Sequence, residues 1–378
     1  MSPRRGSVLI AHPSAELYGS DRVMLETVSA LTAEHRVLVV LPQDGPLLAE
    51  CRARGARAEI VPVPVLRKSL LSPRGLVRLA VEAPVALVRA MRTILRNGIG
   101  TVYVSTVTVP VWLLAARLTG RRTVTHVHEA EGSAGALTKR ALSTPLLLAH
   151  SIAANSRFSA EVLAEPYPGL RDRTRVILNA VDAPPAPTDP RAELEGPVRL
   201  IYVGRLSERK GVDVAVAAVA LLTRRGVPAT LEIVGDVFPG YEWFREQLLN
   251  QVEQDGIADR VHFAGFRPSV WDELAASDIA IVPSRADEPF GNAAVEAVLS
   301  RRPLIVSDTS GLREAAAGYA SARFVQPGDA GAIADAVERM TAEWPTLRQA
   351  AIDASQEAAE RHSRGAYDAA VTALIDVI

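Results

Sequence analysis

The feature that most constrains the fold is an alternation of short β-rich runs with longer helix-like stretches along the whole chain. Such alternation is typical of α/β domains with parallel sheets. Several runs are almost continuously apolar, as strands are when helices cover both faces of a sheet. The predicted strands are SVLIAH, RVLVVL, AEIVPV, TVYVST, TVTHVH, SIAANS and RVILN in the first half, and VRLIYVG, TLEIVG, RVHFAG, DIAIVPS, PLIVSD and ARFVQ in the second.

A proline-rich segment separates the halves. Prolines at 184, 185, 187 and 190 exclude a regular helix or a central strand there. Two sheets joined by one linker predict a bilobed protein with a cleft between the lobes. The predicted parts are an N-terminal domain over 1–183, a linker over 184–196, a C-terminal domain over 197–358 and a final helix over 359–378 that can pack back on the N-terminal domain.

The composition argues against several classes of partner and site. The 378 residues carry 42 Lys and Arg against 43 Asp and Glu, so the basic excess that nucleic acid binding needs is missing. Cys51 is the only cysteine, which excludes an intramolecular disulfide and cysteine-rich zinc sites. The apolar run over 8–11 is short for a signal peptide, and no apolar segment approaches the roughly 20 residues that span a bilayer. We therefore expect a cytoplasmic protein.

In parallel sheets, ligands bind where strands end and helices begin, so these junctions hold the candidate residues. The stretch GRLSERKG places Gly204, Arg205 and Lys210 between a strand and a helix. A glycine turn, two cations and a helix N-terminus favour an anion site, although a solvated basic loop would read the same way. In the first half, Gly19 and Ser20 precede an amphipathic helix, where backbone N–H groups can approach a phosphate.

The stretch ADEPFGNAAVEAV is the third such junction. We predict a helix from about Asn292, with Glu288 before it and Glu296 one turn inside it. Free N–H groups near Gly291 can donate to hydroxyl or phosphate oxygens, while the carboxylates accept from vicinal hydroxyls. The alternative for Glu296 is an acidic residue that complements the helix dipole.

These motifs resemble those of retaining glycosyltransferases of the GT-B fold, family 4 (glycosyl transferases group 1). Residues 286–308 look like that family's Glu-x7-Glu region, and GRLSERKG looks like its Arg-x4-Lys donor site. The stretches YGSDRVMLETVSAL, NSRFSAEVL, VILNAVD, LEIVGD and SDTSGLREA match further landmarks in the expected order. The resemblance covers nearly the whole chain and implies two Rossmann-like domains, with the acceptor in the first and a nucleotide sugar in the second.

The resemblance also implies roles for individual residues. Glu288 would hold hydroxyls of the transferred sugar and Glu296 the ribose, while Arg205 and Lys210 would neutralise the leaving diphosphate. The family proceeds with retention by front-face substitution and needs no metal or other cofactor. Gly-Ser stands at 19–20 where many relatives have Gly-Gly. The implied donor set is completed by Gly19, Ser20, Gly204, Gly235, Phe266, Arg267, Phe290, Gly291, Asn292 and Ala293.

The run TVTHVHEAEG places His126 and His128 on one face of a strand. A pair of histidines can bind metal, but no third ligand stands at a useful spacing. His128 matches the family position that contacts the sugar near the reacting carbon. We therefore interpret His128 as a catalytic residue, together with Glu288, Arg205 and Lys210, and His126 as a buried structural residue.

Residues 66–96 form a local concentration of positive charge. Seven cations (Arg67, Lys68, Arg74, Arg78, Arg89, Arg92 and Arg96) stand there against Glu82 alone. A helix face of this kind favours anionic lipid headgroups, and the alternative is an ordinary solvated face. The expected acceptor is thus a glycan, a lipid-linked sugar or a small molecule, with the protein at the inner face of a membrane in the lipid case.

Two other readings stay open from the sequence. A sugar-nucleotide epimerase shares the GT-B architecture, and a non-catalytic sugar-binding protein can also have two α/β lobes. An acceptor product distinguishes transfer from the first, and turnover distinguishes it from the second.

Overall fold

The computed structural model describes residues 6–17, 19–66, 73–130 and 132–376. The chain divides into two compact units. Unit 1 comprises Met1–Ala180 and Arg364–Ile378, and unit 2 comprises Val181–Ser363. The proline-rich segment over 184–196 therefore lies in unit 2.

Within the described residues, unit 1 contains a seven-stranded parallel sheet in the order β3-β2-β1-β4-β5-β6-β7. Its strands are β1 (Ser7–Ala11), β2 (Arg36–Leu41), β3 (Arg57–Ile60), β4 (Thr101–Val104), β5 (Arg122–Val127), β6 (Ser151–Ala154) and β7 (Thr174–Val176). Its helices are α1 (Gly19–Thr32), α2 (Pro46–Ala53), α3 (Pro73–Arg96), α4 (Val111–Leu118), α5 (Ala136–Ser143), α6 (Arg157–Ala164) and α14 (Arg364–Asp376).

The central strands of this sheet are buried on both faces. Ile10 of β1 packs with α1 and α14, while Leu9 packs on the opposite face with α3 and α4. Both side chains are fully buried, and burial of each is worth about 1.5–3 kcal/mol. This two-sided burial explains why the strands are almost continuously apolar in the sequence.

The part of unit 2 that the structure describes contains a six-stranded parallel sheet in the order β10-β9-β8-β11-β12-β13. Its strands are β8 (Val198–Val203), β9 (Ala229–Val234), β10 (Val261–Gly265), β11 (Ile279–Val282), β12 (Leu304–Ser307) and β13 (Ala322–Val325). Its helices are α7 (Val212–Arg224), α8 (Glu242–Gln254), α9 (Trp271–Ala276), α10 (Asn292–Leu299), α11 (Ser310–Ala316), α12 (Ala330–Ala342) and α13 (Trp344–Arg361).

The two sheets share one topology. In each, the first three strands run outward in one direction and the remaining strands, four in unit 1 and three in unit 2, in the other. The order therefore reverses between β1 and β4 in unit 1, and between β8 and β11 in unit 2. Ligands of open α/β sheets bind beyond the carboxyl ends of the strands at such a reversal. The predicted α/β fold with two Rossmann-like sheets is confirmed, and each predicted run overlaps a strand.

The C-terminal segment departs from the predicted single helix over 359–378. Helix α13 ends at Arg361, and α14 begins at Arg364. At this break a residue distant in the sequence makes contact: the His362 carbonyl accepts a hydrogen bond from the Val181 N–H, 3.2 Å away. Helix α14 then packs on α1 in unit 1, where Tyr367 Oη lies 2.6 Å from Thr27 Oγ1.

The proline-rich segment is anchored on unit 2 by polar contacts. Arg191 Nε donates to Asp278 Oδ1 over 2.8 Å, and the Asp278 side chain is fully buried. Trp344 Nε1 donates to the Arg191 carbonyl over 3.0 Å, and Arg348 Nε to the Pro190 carbonyl over 2.9 Å. The segment is therefore held in place at its carboxyl end although it lacks helix and strand.

Candidate active site

The strand ends of unit 2 meet in a region that we call the glycine-lined edge (Gly204, Gly211, Gly235, Gly291 and Gly311). Gly204 follows β8 and Gly235 follows β9, with φ of +155° and +141°. A Cβ on Gly235 would overlap the Gly204 carbonyl oxygen. Only glycine therefore allows the two backbones to approach this closely.

Two helices of unit 2 begin at this edge after glycines with positive φ. Gly211 precedes α7 with φ +70°, and a Cβ there would overlap the Pro283 carbonyl oxygen. Gly291 precedes α10 with φ +112°, and a Cβ there would lie 2.5 Å from Leu312 Cδ2. The first N–H groups of a helix have no partner within it, so these two helix starts can offer backbone donors to an anion. The predicted start of α10 at Asn292 is confirmed.

Glu288 brings the cations of this edge together. Its carboxylate is buried and accepts from Lys210 Nζ over 2.9 Å and from Arg209 Nη1 over 3.1 Å. Ser284 Oγ donates to the same carboxylate over 2.9 Å. The sequence interpretation gave Glu288 to substrate hydroxyls and overlooked Arg209. In the structure this carboxylate holds two cations in position, and the only sequence signal for Arg209 was its place beside Lys210.

Arg205 lies at the same edge in a different setting. Its guanidinium carbon is 3.3 Å from the centroid of the Phe238 ring, a cation–π contact. Tyr202 Oη donates to the Arg205 carbonyl over 2.7 Å, which fixes the backbone after β8. The aromatic ring thus helps to orient the arginine.

The other residues predicted for this site lie on different elements and differ in burial. Asn292, Ala293 and Glu296 lie half-buried at the start of α10. Phe266 and Arg267 follow β10, both exposed, with Arg267 Nε 3.3 Å from Glu273 Oε1. Phe290 differs from expectation, because its side chain is buried and packs edge-on against His362, with ring centroids 5.6 Å apart. Its side chain therefore serves packing within unit 2.

The corresponding strand ends of unit 1 form what we call the histidine-lined edge (His12, Ser105, His126 and His128). Pairing places Ala11, Val104 and Thr125 at one level, so His12, Ser105 and His126 follow at the next. His12 Nε2 lies 2.7 Å from Asp21 Oδ1, and both side chains are buried. The sequence analysis missed this pair, although a histidine directly after the first strand was a usable signal.

Two histidines of this edge, His126 and His128, are closely packed. Tyr103 Oη lies 2.5 Å from His126 Nδ1, and the His126 and His128 rings are 4.1 Å apart. Burial lowers the pKa of His126 to about 3. Burial, with smaller effects of His126 and His12, lowers the pKa of His128 well below its usual range. At neutral pH both rings therefore act through hydrogen bonds and not through charge.

Gly19 and Ser20 form the exposed first turn of α1, where the sequence placed them before the helix. A Cβ on Gly19 would meet nothing within 4 Å, so the fold does not demand glycine there. Tyr18 of the same motif lies outside the described residues. Among those that the structure describes, no group of three or more His, Cys, Asp or Glu is arranged to hold a metal ion.

Helix α3 carries the predicted basic stretch, of which Arg67 and Lys68 lie outside the described residues. The remaining arginines are exposed. Arg78 pairs with Glu82 over 2.8 Å, and Arg96 pairs with Glu59. Five apolar side chains also project from α3 with exposures between 45% and 69%: Val77, Val81, Val85, Val88 and Leu95. In the described part of the chain, no helix is both long and apolar enough to span a bilayer.

Two family models match the chain. One, described as glycosyl transferases group 1, matches residues 188–358, and the other, described as glycosyltransferase family 4, matches residues 18–183. Glycogen synthase of Mycobacterium tuberculosis is 35% identical over 172 residues, which are 45% of this chain and 40% of that protein. D-inositol 3-phosphate glycosyltransferase of Nocardia farcinica is 29% identical over 243 residues, 61% of this chain and 54% of that one. The chain thus spans about half or less of the length of these relatives.

Solved structures show the same fold across the whole chain. HepE of Anabaena, crystallised with UDP, superposes with a TM-score of 0.82 at 20% identity and covers 98% of this chain and 100% of its own. WaaG, a glycosyltransferase involved in lipopolysaccharide biosynthesis, gives a TM-score of 0.69 at 16% identity, covering 97% and 99%. At these identities the likeness establishes the GT-B fold alone.

Proposed function

The chain belongs to the glycosyl transferases group 1, and from this premise we propose that it moves a hexosyl unit from a nucleotide diphosphate sugar to an acceptor hydroxyl. Unit 2 binds the donor at the glycine-lined edge. Unit 1 binds the acceptor. The transfer proceeds with retention of the anomeric configuration and without a metal ion.

The observation that carries this proposal is the cation set at the glycine-lined edge. Lys210 and Arg209 are held on the buried Glu288, and Arg205 is oriented by Phe238. The N-terminal ends of α7 and α10 open beside them. Charge-assisted hydrogen bonds to phosphate contribute about 1.5–3 kcal/mol each. Cations and helix ends together suit a diphosphate better than any neutral ligand.

The chemistry follows from this charge. The bond between the anomeric carbon and the β-phosphate oxygen breaks, and the acceptor oxygen bonds to the same face of that carbon. The acceptor proton passes to the departing phosphate oxygen. Arg205, Arg209 and Lys210 neutralise the charge that grows on the diphosphate, the work that a divalent cation does elsewhere. Glu288 is engaged by cations, which supports substitution without a covalent glycosyl-enzyme.

Support for the donor comes from the structural neighbours, since HepE has been crystallised with UDP and with UDP-glucose. UDP-glucose is therefore the first donor to test, followed by GDP- and dTDP-sugars. The glycine-lined edge offers backbone and charge contacts to the diphosphate, which every such donor shares.

We further propose that α3 places the protein on an anionic membrane surface. Arg74, Arg89 and Arg92 have no ionic partner among the described residues. The exposed residues Val77, Val81 and Val88 recur at helical spacing between them. Apolar side chains flanked by free cations suit the boundary between lipid headgroups and acyl chains.

The test of the transferase proposal is product formation from UDP-glucose, with the anomeric configuration of the product read by proton NMR. We expect an α-linked product from the α-configured donor, at the same rate in the presence of EDTA. Glu288→Gln should lower kcat/KM about 10²–10³-fold, since such electrostatic contacts contribute roughly 2.7–4 kcal/mol. Asp287→Asn changes the neighbouring carboxylate and serves as the control.

Near-normal kcat/KM in Glu288→Gln would contradict the site. A β-linked product would contradict retention, and loss of activity in EDTA that magnesium restores would contradict metal independence. Nucleotide release with no acceptor product would indicate an epimerase, and binding without turnover would indicate a binding protein.

A further inference from the structure

A group of basic residues lies at the amino end of the unit 1 sheet, where its strands begin. Arg122 begins β5, while His150 and Arg173 directly precede β6 and β7. These three parallel strands are neighbours in the sheet, so their first residues lie side by side. Arg117, in the last turn of α4, joins them. We call Arg117, Arg122, His150 and Arg173 the amino-end cluster, and all four are exposed.

Direct contacts hold this cluster together. Arg117 Nη1 lies 2.7 Å from His150 Nε2, and the other ring nitrogen, Nδ1, lies 2.7 Å from Thr123 Oγ1. Arg173 Nη1 donates to the Ala149 carbonyl over 3.2 Å, directly before His150 in the chain. The imidazole is therefore fixed on Thr123, with one guanidinium against its far nitrogen and a second against the carbonyl of the preceding residue.

The positive charge of the cluster is not neutralised within the described part of the chain. Arg117, Arg122 and Arg173 form no ion pair there, and at most one nitrogen of each guanidinium has a hydrogen-bond partner. Asp172, which precedes Arg173, forms no ion pair with a described residue either. Burial, followed by the charges of the three arginines, lowers the pKa of His150. The three guanidinium groups thus converge around one imidazole and keep donors for a further partner.

The position of the cluster separates it from the proposed transfer reaction. Ligands of open α/β sheets bind beyond the carboxyl ends of the strands, and this cluster lies at the opposite end of the same sheet. Neither a donor nor an acceptor therefore accounts for it. Leu114 and Leu118 flank Arg117 on α4 with exposures of 40% and 58%, and Leu147 is also exposed. Apolar side chains beside cations suit a lipid surface, so a lipid headgroup is one source of an anion here.

We propose that the amino-end cluster is a second anion site, which binds a phosphate monoester through Arg117, Arg122 and Arg173 with the His150 ring beside them. Three guanidinium groups suit the three free oxygens of a phosphate monoester better than the two oxygens of a carboxylate. A soluble phosphate compound and the headgroup of phosphatidic acid share this chemistry. The site does not depend on the proposed transfer reaction, and it gives unit 1 a binding function at the end opposite to the histidine-lined edge.

The first arm of the test uses soluble phosphate. The full chain, labelled with ¹⁵N-histidine, is titrated with inorganic phosphate and with glycerol 3-phosphate, and sodium chloride of equal ionic strength is the reference. The variant His150→Asn identifies the His150 resonances. A soluble ligand should shift these resonances saturably and raise the pKa of the ring, because a bound anion favours the imidazolium. Chloride should do neither.

Variants separate a built site from general surface charge. Arg117→Gln and Arg173→Gln should each weaken phosphate binding about tenfold, as loss of one charge-assisted contact implies. Arg117→Lys keeps the charge but not the planar fork, so it should recover only part of the affinity. The matched control is Arg36→Gln, since Arg36 is also exposed and begins β2 at the same end of the sheet. It should bind phosphate as the wild type does.

The second arm uses phosphatidylcholine vesicles that contain either phosphatidic acid or phosphatidylglycerol, whose phosphate is a diester. Arg74, Arg89 and Arg92 are replaced with glutamine in every chain of this arm, so that α3 contributes little to binding. Sedimentation that favours phosphatidic acid and weakens about tenfold in Arg117→Gln would support the site with a lipid headgroup as its ligand. A saturable response in the first arm alone would support the site with a soluble phosphate.

Three outcomes would overturn the inference: no binding in either arm, an equal response of His150 to chloride, or an equal loss in Arg36→Gln and Arg117→Gln. UDP binding is measured on the same chains and should stay unchanged, because the proposed donor site lies in unit 2. Failure of UDP to bind would count against the transferase proposal and not against the amino-end cluster.

Discussion

The first six strands of the two sheets follow the same order, but different kinds of residue lie at the carboxyl ends of those strands. In unit 2, glycines let backbones touch, and Glu288 holds Arg209 and Lys210 beside the N-termini of two helices. In unit 1, buried histidines occupy the corresponding strand ends, and burial lowers the pKa of His126 to about 3. The topology therefore decides where a ligand binds, and the residues after each strand decide what kind. The cations and helix N-termini of the glycine-lined edge suit an anion.

The largest expected effect on stability comes from replacing Gly211, a residue of the glycine-lined edge. Gly211→Ala forces a Cβ against the Pro283 carbonyl in a residue with φ +70°. We expect the free energy of unfolding of unit 2 to fall by roughly 2–5 kcal/mol, from left-handed strain plus overpacking. Chemical denaturation measures this change.

Two controls sharpen this prediction. Gly226→Ala has φ +75° but no atom within 4 Å of the new Cβ, so it should show the strain without the overlap. Gly19→Ala, at the first turn of α1, should change stability little. If Gly211→Ala were no worse than Gly226→Ala, the close approach of the loops in unit 2 would not be a structural requirement.

A second effect, of intermediate size, is a loss of stability of unit 1 at acidic pH. The pKa of His126 is lowered by burial to about 3, so its neutral form stabilises unit 1 above the unfolded value near 6.5. As pH falls below 6.5 toward 3, the unfolded chain binds a proton that the folded unit does not, and stability is lost. At pH 5 the loss from His126 alone should be roughly 2 kcal/mol.

Hydrogen exchange, corrected for intrinsic rates, measures this difference. Protection of β1, β4 and β5 should decline between pH 7 and pH 5 more than protection of β8, β9 and β11. Equal declines in both sheets would show that the buried histidines do not distinguish the units.

The sequence predicted the fold well and the site only in part. Strands buried on both faces are almost continuously apolar, so the strands of both sheets could be predicted from the amino-acid sequence alone. Strand ends were less accurate: AEIVPV was predicted over 58–63, whereas β3 is Arg57–Ile60. β-favouring residues continue past the point at which the neighbouring strand stops pairing.

The features that could not be predicted from the sequence depend on contacts between residues far apart in the chain. Lys210 and Glu288 are 78 positions apart, so their ion pair depends on the pairing of β8 with β11. Likewise, His12 and His126 come to one level only through the register of β1, β4 and β5. The break between α13 and α14 depends on a bond to Val181, which no local pattern contains.

The smallest expected effect is on membrane binding by the exposed side chains of α3 in unit 1. Replacing Arg74, Arg89 and Arg92 with glutamine should weaken sedimentation with anionic liposomes by up to about 1 kcal/mol per residue, and more visibly at low salt. Arg78 and Arg96 are already paired, so the matched double replacement should matter less. If the wild-type chain does not sediment with anionic liposomes at low salt, α3 presents only an ordinary solvated face.

The central claim is that the cations of the glycine-lined edge in unit 2 recognise the anionic donor, and calorimetric titration with UDP tests it most directly. The comparison uses the wild-type chain, Lys210→Ala, His12→Asn and, as a control in unit 1, Lys139→Ala, which removes a lysine paired with Glu165. We expect Lys210→Ala to weaken UDP binding about 10- to 100-fold, the value of one charge-assisted contact. His12→Asn and Lys139→Ala should bind UDP as the wild type does. Unchanged affinity in Lys210→Ala, or an equal loss in His12→Asn, would contradict the division of the substrates between the two edges.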